Sequence, residues 1–219
     1  MQIRCFTVGL FQVNTYLITD PSTGAAAIVD TGESPELIER LSALDPVPDV
    51  QAILLTHGHV DHAGALTLLQ ARFDAPTYMP RAELPLFEAL PEQGDWFNMP
   101  ALNRPCGRID HYLDDGDEVR VGELGLRFLA TPGHTPGQGC YYDDADIIVG
   151  DTVFAGSVGR TDFPMSDPSL ARRSLRRLFE LPPALRVHSG HGPVTTLGDE
   201  LRSNPFLGFL RVERGMVRP

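Results

Sequence analysis

Three histidines and an aspartate crowd into one short stretch, Thr56-His57-Gly58-His59-Val60-Asp61-His62. It follows an apolar run, Ala52-Ile53-Leu54-Leu55, that reads as a buried strand. It precedes Ala63-Gly64-Ala65-Leu66-Thr67-Leu68-Leu69, which reads as the start of a helix. The metal-binding residue types therefore sit on a loop that enters a helix. In an extended loop alternate side chains point the same way, so His57 and His59 can converge on one ion. Asp61 and His62 come where the chain begins to coil, and can face a second ion beside the first. Gly58 is expected to let the backbone turn sharply between the two histidines. The competing reading is a set of surface histidines. With seven histidines in 219 residues, three within six positions beside an aspartate are not what chance scatter produces. A closed structural zinc site usually recruits cysteine, and none is near.

The length suits a single domain over residues 1–219, ample for a large core without disulfides. The formal net charge of −11 argues against a nucleic-acid partner. The N-terminus, Met1-Gln2-Ile3-Arg4-Cys5-Phe6, has no long apolar segment, so neither a signal peptide nor a membrane span is expected. Cys5, Cys106 and Cys140 are odd in number and widely spaced. They read as free thiols in a reducing compartment, which points to the cytoplasm. Nothing in the sequence speaks to oligomeric state.

Residues 2–8, 14–19 and 25–30 read as short strands, the last ending in Ile28-Val29-Asp30-Thr31-Gly32. Ser34-Pro35-Glu36 should open a helix through about Ala43, with Ser34 as its cap. Asp30 falls at the carboxyl end of a strand, where sites in α/β folds gather; it can equally be a turn residue. A strand near Ala75–Met79 and a helix over 83–90 follow. Gln93 to Pro100 then reads as a loop carrying the only tryptophan, Trp96, which either packs on the core or lines a pocket.

A second motif, Thr131-Pro132-Gly133-His134-Thr135-Pro136-Gly137, ends a strand at Leu124–Ala130. The Pro-Gly framing, and the need for a third histidine beside His57 and His59, make His134 a ligand candidate. A strand over 146–149 ends in Gly150-Asp151-Thr152, and Asp151 is a hard oxygen donor able to bridge two cations. One half of the chain thus runs Ile-Val-Asp-Thr and then strand-Thr-His. The other runs strand-Thr-Pro-Gly-His and then Ile-Val-Gly-Asp-Thr. Two sheets sending loops to one shared edge would gather these motifs. Ser166 or Asp167 should cap a helix from Pro168 to about Leu181, with Arg172, Arg173, Arg176 and Arg177 on its solvated face. Near the end stand His188 and Gly190-His191-Gly192-Pro193; His188, like His111, is read as packing or surface.

His-x-His-x-Asp-His after a hydrophobic strand resembles the signature of the metallo-β-lactamase superfamily, and the later motifs resemble its glyoxalase II-like branch. The resemblance implies an α/β fold, an αβ/βα four-layer sandwich. It implies one ion held by His57, His59 and His134, and a second held by Asp61, His62 and His191, with Asp151 bridging and Asp30 supporting from behind. Asp61 is also the expected catalytic carboxylate. The ions would be two divalent metals, zinc first, with iron or manganese as alternatives. An Asp at 151 resembles the hydrolase branch, because lactamase subclasses carry Cys or Ser there or lack the bridge. Gly159-Arg160-Thr161-Asp162-Phe163 resembles the loop in which glyoxalase II enzymes carry a basic residue for the glycine end of glutathione, so Arg160 is the substrate-binding candidate. Glu200 to Leu207 resembles the ending of short enzymes that lack the helical C-terminal domain, so none is expected here.

The activity implied is metal-dependent hydrolysis of a thioester, S-2-hydroxyacyl glutathione or a related compound, by a hydroxide shared between the two ions. A thiolate leaves without a strong general acid, because a free thiol has a pKa of about 8.5. No Gly-x-Ser-x-Gly element offers a serine nucleophile. The alternative is an oxidoreductase resembling persulfide dioxygenase, with a single iron on His57, His134 and Asp151. The partner expected is a small-molecule thioester, with no nucleic acid and no membrane.

Overall fold

The computed structural model describes residues 1–216. Its first half builds a six-stranded sheet from β1 (Gln2–Val8), β2 (Val13–Thr19), β3 (Ala25–Val29), β4 (Asp49–Leu54), β5 (Thr77–Pro80) and β6 (His111–Leu113), in that spatial order. β1, β2 and β3 pair antiparallel, and β3 to β6 run parallel. β7 (Glu118–Val121), β8 (Leu124–Ala130), β9 (Gly139–Tyr142) and β10 (Asp146–Gly150) open the second sheet. A small hairpin follows, β11 (Val153–Phe154) with β12 (Ser157–Val158). β13 (Arg186–Ser189) and β14 (Thr195–Thr196) complete the second sheet in the order β14-β13-β10-β9-β8-β7.

Parallel strands need both faces covered, and β3 shows it: every residue of Ala25–Val29 is buried. Its odd positions, Ala25, Ala27 and Val29, join Tyr16, Ala52 and Leu54 against Val121, Leu126, Phe128 and Tyr141 of the other sheet. Ala26 and Ile28 face the opposite way, onto Leu37 and Leu41 of α1 (Glu36–Ser42). α2 (Val60–Ala63) and α3 (Leu66–Phe73) cover the same face, with Leu66 and Leu69 in its core. α4 (Leu84–Glu88) and α5 (Leu90–Trp96) pack beside them. The second sheet turns Leu129, Ile147, Val149 and Val187 outward onto Leu175 and Leu178 of α6 (Pro168–Leu178). Leu197 of α7 (Leu197–Ser203) and Leu210 of α8 (Gly208–Glu213) extend that layer. The product is helix, sheet, sheet, helix, the αβ/βα sandwich expected. No helix among the described residues is long and apolar enough to cross a membrane.

Several local expectations need correction. Pro35, not Ser34, occupies the cap of α1, and the Ser34 hydroxyl makes no capping bond. The helix after the histidine loop is split. The carbonyl of His62 takes the Thr31 N–H at 2.6 Å instead of an N–H one turn ahead, so α2 stops and α3 restarts at Leu66. The stretch read as a loop after Gln93 begins inside α5, and the half-buried Trp96 ends that helix. α6 stops at Leu178, short of Leu181. His188 packs as expected: its Nε2 lies 2.7 Å from Asp146 and its ring stands edge-on to Tyr16.

Candidate metal centre

The carboxyl ends of β3, β4, β8, β10 and β13 all point to one edge of the sandwich; β3 is followed by Asp30, and each of the others leads to a residue of the cluster. β4 runs out through Leu55 and Thr56 into His57 and His59; β8 leads to His134, β10 to Asp151 and β13 to His191. Asp61 and His62 lie on the single turn of α2. The structure therefore brings all seven proposed ligands together. Three donor groups form, each with its atoms within 4.8 Å of one another: His57, His59 and His134; His57, His62 and Asp151; Asp61, His62 and His191.

The donor atoms face inward. His59 Nδ1 and His134 Nε2 are 3.0 Å apart. Asp151 Oδ1 stands 3.4 Å from His62 Nε2, and its Oδ2 3.6 Å from His134 Nε2 and 3.7 Å from His191 Nε2. Asp61 Oδ2 is 3.4 Å from His191 and 3.6 Å from His62. Ligands at about 2.0–2.1 Å in a tetrahedron lie roughly 3.4 Å from each other, so these spacings suit ions held between them. Asp151 thus stands between the two histidine sets, within reach of His134 of the first and of His62 and His191 of the second. His57 Nε2, His62 Nε2 and Asp151 Oδ1 are buried without any hydrogen-bond partner. An unpaired buried polar atom costs ~1–3 kcal/mol, and three of them facing one point fit a cation.

The charges agree with this. Burial and the neighbouring imidazoles drive His57 well down, and burial with His134 brings His59 to about 3. Both are thus held in the neutral form that binds metal. Burial pushes Asp151 and Asp61 up, but the surrounding imidazoles together, His62 first, outweigh it, and both carboxyls are held below the ordinary aspartate range. Burial likewise opposes charge on His62, yet Asp61, Asp151 and Asp30 raise it well above the usual histidine range.

A further shell of residues sets the orientation of the donors. Asp30 accepts from His62 Nδ1 at 2.8 Å and from the Thr56 N–H and hydroxyl, each at 2.8 Å. It does so from a left-handed conformation, φ 59°, uncommon for any residue but glycine. Asp30 is thus the supporting residue the resemblance implied. His134 Nδ1 meets the Arg160 carbonyl at 2.7 Å, which leaves Nε2 for the site. The His191 loop is caught by β2 of the other sheet. Asn14 Nδ2 donates to Ser189 O and Gly192 O, Asn14 N to Gly190 O, and the Tyr16 hydroxyl to Ser189 O.

Two buttresses escaped the sequence reading. Glu83 is fully buried; its Oε2 accepts from Gly58 N at 2.8 Å, and its Oε1 from Thr135 Oγ1 at 2.6 Å and Gly137 N at 2.5 Å. One carboxylate thereby ties the His57–His59 loop to the His134 loop. Gln93 brackets His59, accepting from Val60 N and donating to Gly58 O, both at 2.8 Å. Gly58 turns out to serve packing rather than a turn. Its φ is ordinary, and a Cβ there would lie 3.0 Å from Phe87 N.

A cavity of about 440 Å³ opens over the donors, lined by His59, Asp61, His134, Asp151 and His191 together with Phe11, Val60, Gln93, Phe97, Phe154, Arg160 and Phe163. Phe97, not Trp96, is the aromatic of its segment that reaches it. Arg160 lies at this cavity, but its guanidinium also grips Asp162 through two N–H bonds of 2.9 and 2.8 Å.

A family model described as the metallo-beta-lactamase superfamily matches residues 8–191. The chain belongs to that superfamily. Among curated members, hydroxyacylglutathione hydrolase GloC of Haemophilus influenzae is 37% identical over 217 residues, covering 94% of this chain and 98% of that one. Among solved metallo-beta-lactamase-fold structures, TTHA1623 in a di-iron-bound form is 39% identical with a TM-score of 0.82, covering 93% of this chain and all of the other. The B3 metallo-beta-lactamase BLEG-1 is 33% identical with a TM-score of 0.86, covering 94% of this chain and all of the other. Similarity of the whole chain therefore does not by itself divide the hydrolase branch from the lactamases. The superfamily and the paired His/Asp clusters together indicate a binuclear site in a metal-dependent hydrolase.

Proposed function

We propose that the chain is a thioesterase that hydrolyses S-2-hydroxyacyl glutathione or a related thioester. The observation that carries this reading is the complete second donor set, Asp61, His62 and His191, beside the first. A mononuclear iron oxygenase needs only His57, His134 and Asp151. The 37% identity to hydroxyacylglutathione hydrolase GloC supports the choice of thioester.

His57, His59 and His134 would hold the first ion, Asp61, His62 and His191 the second, with Asp151 between. A bound pair of divalent cations lowers the pKa of water toward neutrality and polarises a carbonyl. The protein does the rest. Among the described residues no serine or cysteine lines the cavity, so water is the nucleophile. Asp61 faces the cavity and accepts a hydrogen bond from that water, which aims it at the acyl carbon. Asp30 holds the Nδ1–H of His62 and the Arg160 carbonyl that of His134, so each ring turns Nε2 to the site, and on His62 the proton that its carboxylate neighbours favour would give way to an ion. The leaving thiolate needs no acid. Arg160 receives the carboxylate of the thiol's tail, exchanging it for Asp162, since a guanidinium binds either with two parallel hydrogen bonds.

The test pairs elemental analysis of protein purified without added metal with turnover of S-lactoylglutathione, a β-lactam serving as control. Two ions per chain and chelator-sensitive thioester cleavage are expected. Arg160→Ala should raise KM for the glutathione thioester more than it lowers kcat, with both ions retained. Saturation at one iron, with oxygen consumed on glutathione persulfide and no thioester cleaved, would falsify the assignment in favour of the dioxygenase.

A further inference from the structure

The floor of the cavity is polar, but its walls are largely aromatic. Phe11 comes from the turn between β1 and β2, Phe97 follows α5, Phe154 lies on β11, and Phe163 on the loop after β12; all four line the cavity. Their rings make a nearly continuous series. Phe11 lies 6.3 Å from Phe97, and Phe97 5.9 Å from Phe163. Phe163 then stands edge-on to His59 at 5.5 Å and to His134 at 5.9 Å. Across the floor, Phe154 stands edge-on to His191 at 5.9 Å. Four separate segments thus deliver an aromatic ring to one place. Phe11 also packs on the core of the first sheet, but core packing does not account for the series, because none of the four is fully buried and Phe97 remains 37% exposed.

The polar groups at the walls are already engaged. The Gln93 amide is bonded at both ends to the backbone of Gly58, Val60 and Leu86. Arg160 is the one cation lining the cavity among the described residues; it lies 4.4 Å over the Phe163 ring and is paired with Asp162. One guanidinium can serve one carboxylate on the thiol's tail. Nothing comparable is left for a hydroxyl or charge on the acyl half, and a small hydroxyacyl group would leave the phenyl rings facing water.

We infer that the acyl half of the substrate is apolar and aromatic, an arylacyl group seated among Phe11, Phe97 and Phe163. The inference rests on the thioesterase reading and narrows its substrate. In the reaction, water's oxygen bonds to the acyl carbon and the C–S bond breaks. One proton of water passes to the sulfur and the other to solvent, leaving an arylalkanoate and a free thiol. Edge-to-face contact between aromatic rings adds to what burial of apolar surface contributes.

The test is a panel of glutathione thioesters on the metal-loaded enzyme, differing only in the acyl group: acetyl, lactoyl, hexanoyl and phenylacetyl. Each kcat/KM is divided by the ester's own rate with hydroxide. Phenylacetyl should exceed acetyl and lactoyl by at least about tenfold, the scale on which apolar pockets discriminate by size. Phe97→Ala, at a half-exposed position where truncation spares the core, should cut the phenylacetyl-to-acetyl ratio several-fold while thermal stability holds. A flat panel, or a preference for lactoyl, overturns the inference and leaves the thioesterase standing. No turnover of any member by enzyme with both ions bound overturns the thioesterase reading and this inference with it.

Discussion

Glu83 shows how much one side chain carries. Its partners are all donors: two backbone N–H groups and a hydroxyl. Burial raises its pKa from the ordinary value, against the pull of those donors. Only a carboxylate offers acceptors on both sides; glutamine would turn an NH2 toward a backbone N–H. Glu83→Gln should therefore fold but hold metal about 10- to 100-fold more weakly, the usual toll for disturbing a group behind a ligand. Glu83→Ala should in addition cost roughly 3 kcal/mol, because buried donors lose their partner. Competition against a chromophoric chelator measures the first effect and urea unfolding the second. Metal affinity untouched in Glu83→Gln would remove the residue from the site's support.

At the level of elements, α6 is a clamp on the second histidine loop. Ser166 Oγ donates to His134 O, Asp167 N to Gly133 O, and Ser174 Oγ to Pro132 O. Asp167 also caps the helix, accepting from Ser169 N and Leu170 N. Asp167→Ala is expected to cost about 1 kcal/mol, read by denaturant unfolding; a change within a few tenths would show the clamp holds without its cap. This cap was visible in the sequence, because Asp before Pro at a helix start is a local signal. α5 was not, because its signals conflict. Leu90-Pro91-Glu92 starts a helix well, but Gly94 reads as a breaker. Gly94 is there because a Cβ would come within 2.4 Å of Met99 O, a reason that lies in the fold and not in the segment. Glu83 was hidden likewise: beside Arg81 in a short helical stretch it looks like any solvated carboxylate. His57, His59, Asp61 and His62 were legible because metal chemistry limits residue type and spacing so severely, whereas His191 was placed by the family resemblance.

Across the whole molecule the two sheets are joined at both ends. At the metal edge, Asn14 and Tyr16 of the first sheet hold the His191 loop of the second. At the far end, Asp20 in the β2–β3 turn accepts from Glu123 N in the β7–β8 turn at 2.8 Å, and from Thr23 and Ser22 of its own turn. These bonds, Glu123 first, hold Asp20 well below the ordinary aspartate range. A carboxyl depressed on folding stabilises above its unfolded pKa, and that stability is lost as pH falls toward the folded value. Asp20→Asn should thus lower Tm near neutrality, with the gap from wild type narrowing only below about pH 4. Thermal melts from pH 7 to 3 would measure it, and a gap that stayed constant throughout would mean the charge is not what joins the sheets. The repeated strand-to-motif scheme made two sheets with a shared edge legible, and the family resemblance supplied the four-layer sandwich. The role of Asp20 is not legible in the sequence, since its partner Glu123 is distant in the chain.

Each donor cluster draws on both sheets, and this governs when in the life of the chain an ion can bind. On a ribosome, His57 and His59 emerge long before His134, and Asp61 and His62 long before His191. Neither set is complete until the two sheets, built from distant parts of the chain, have packed together, and folding dominated by such non-local contacts is slow, on the scale of milliseconds to seconds. A nascent chain offers an ion no full set of donors. Metal is therefore taken up by the finished sandwich and favours it over the open chain by mass action. Anything that draws the ions away removes that preference and leaves the two halves less firmly joined.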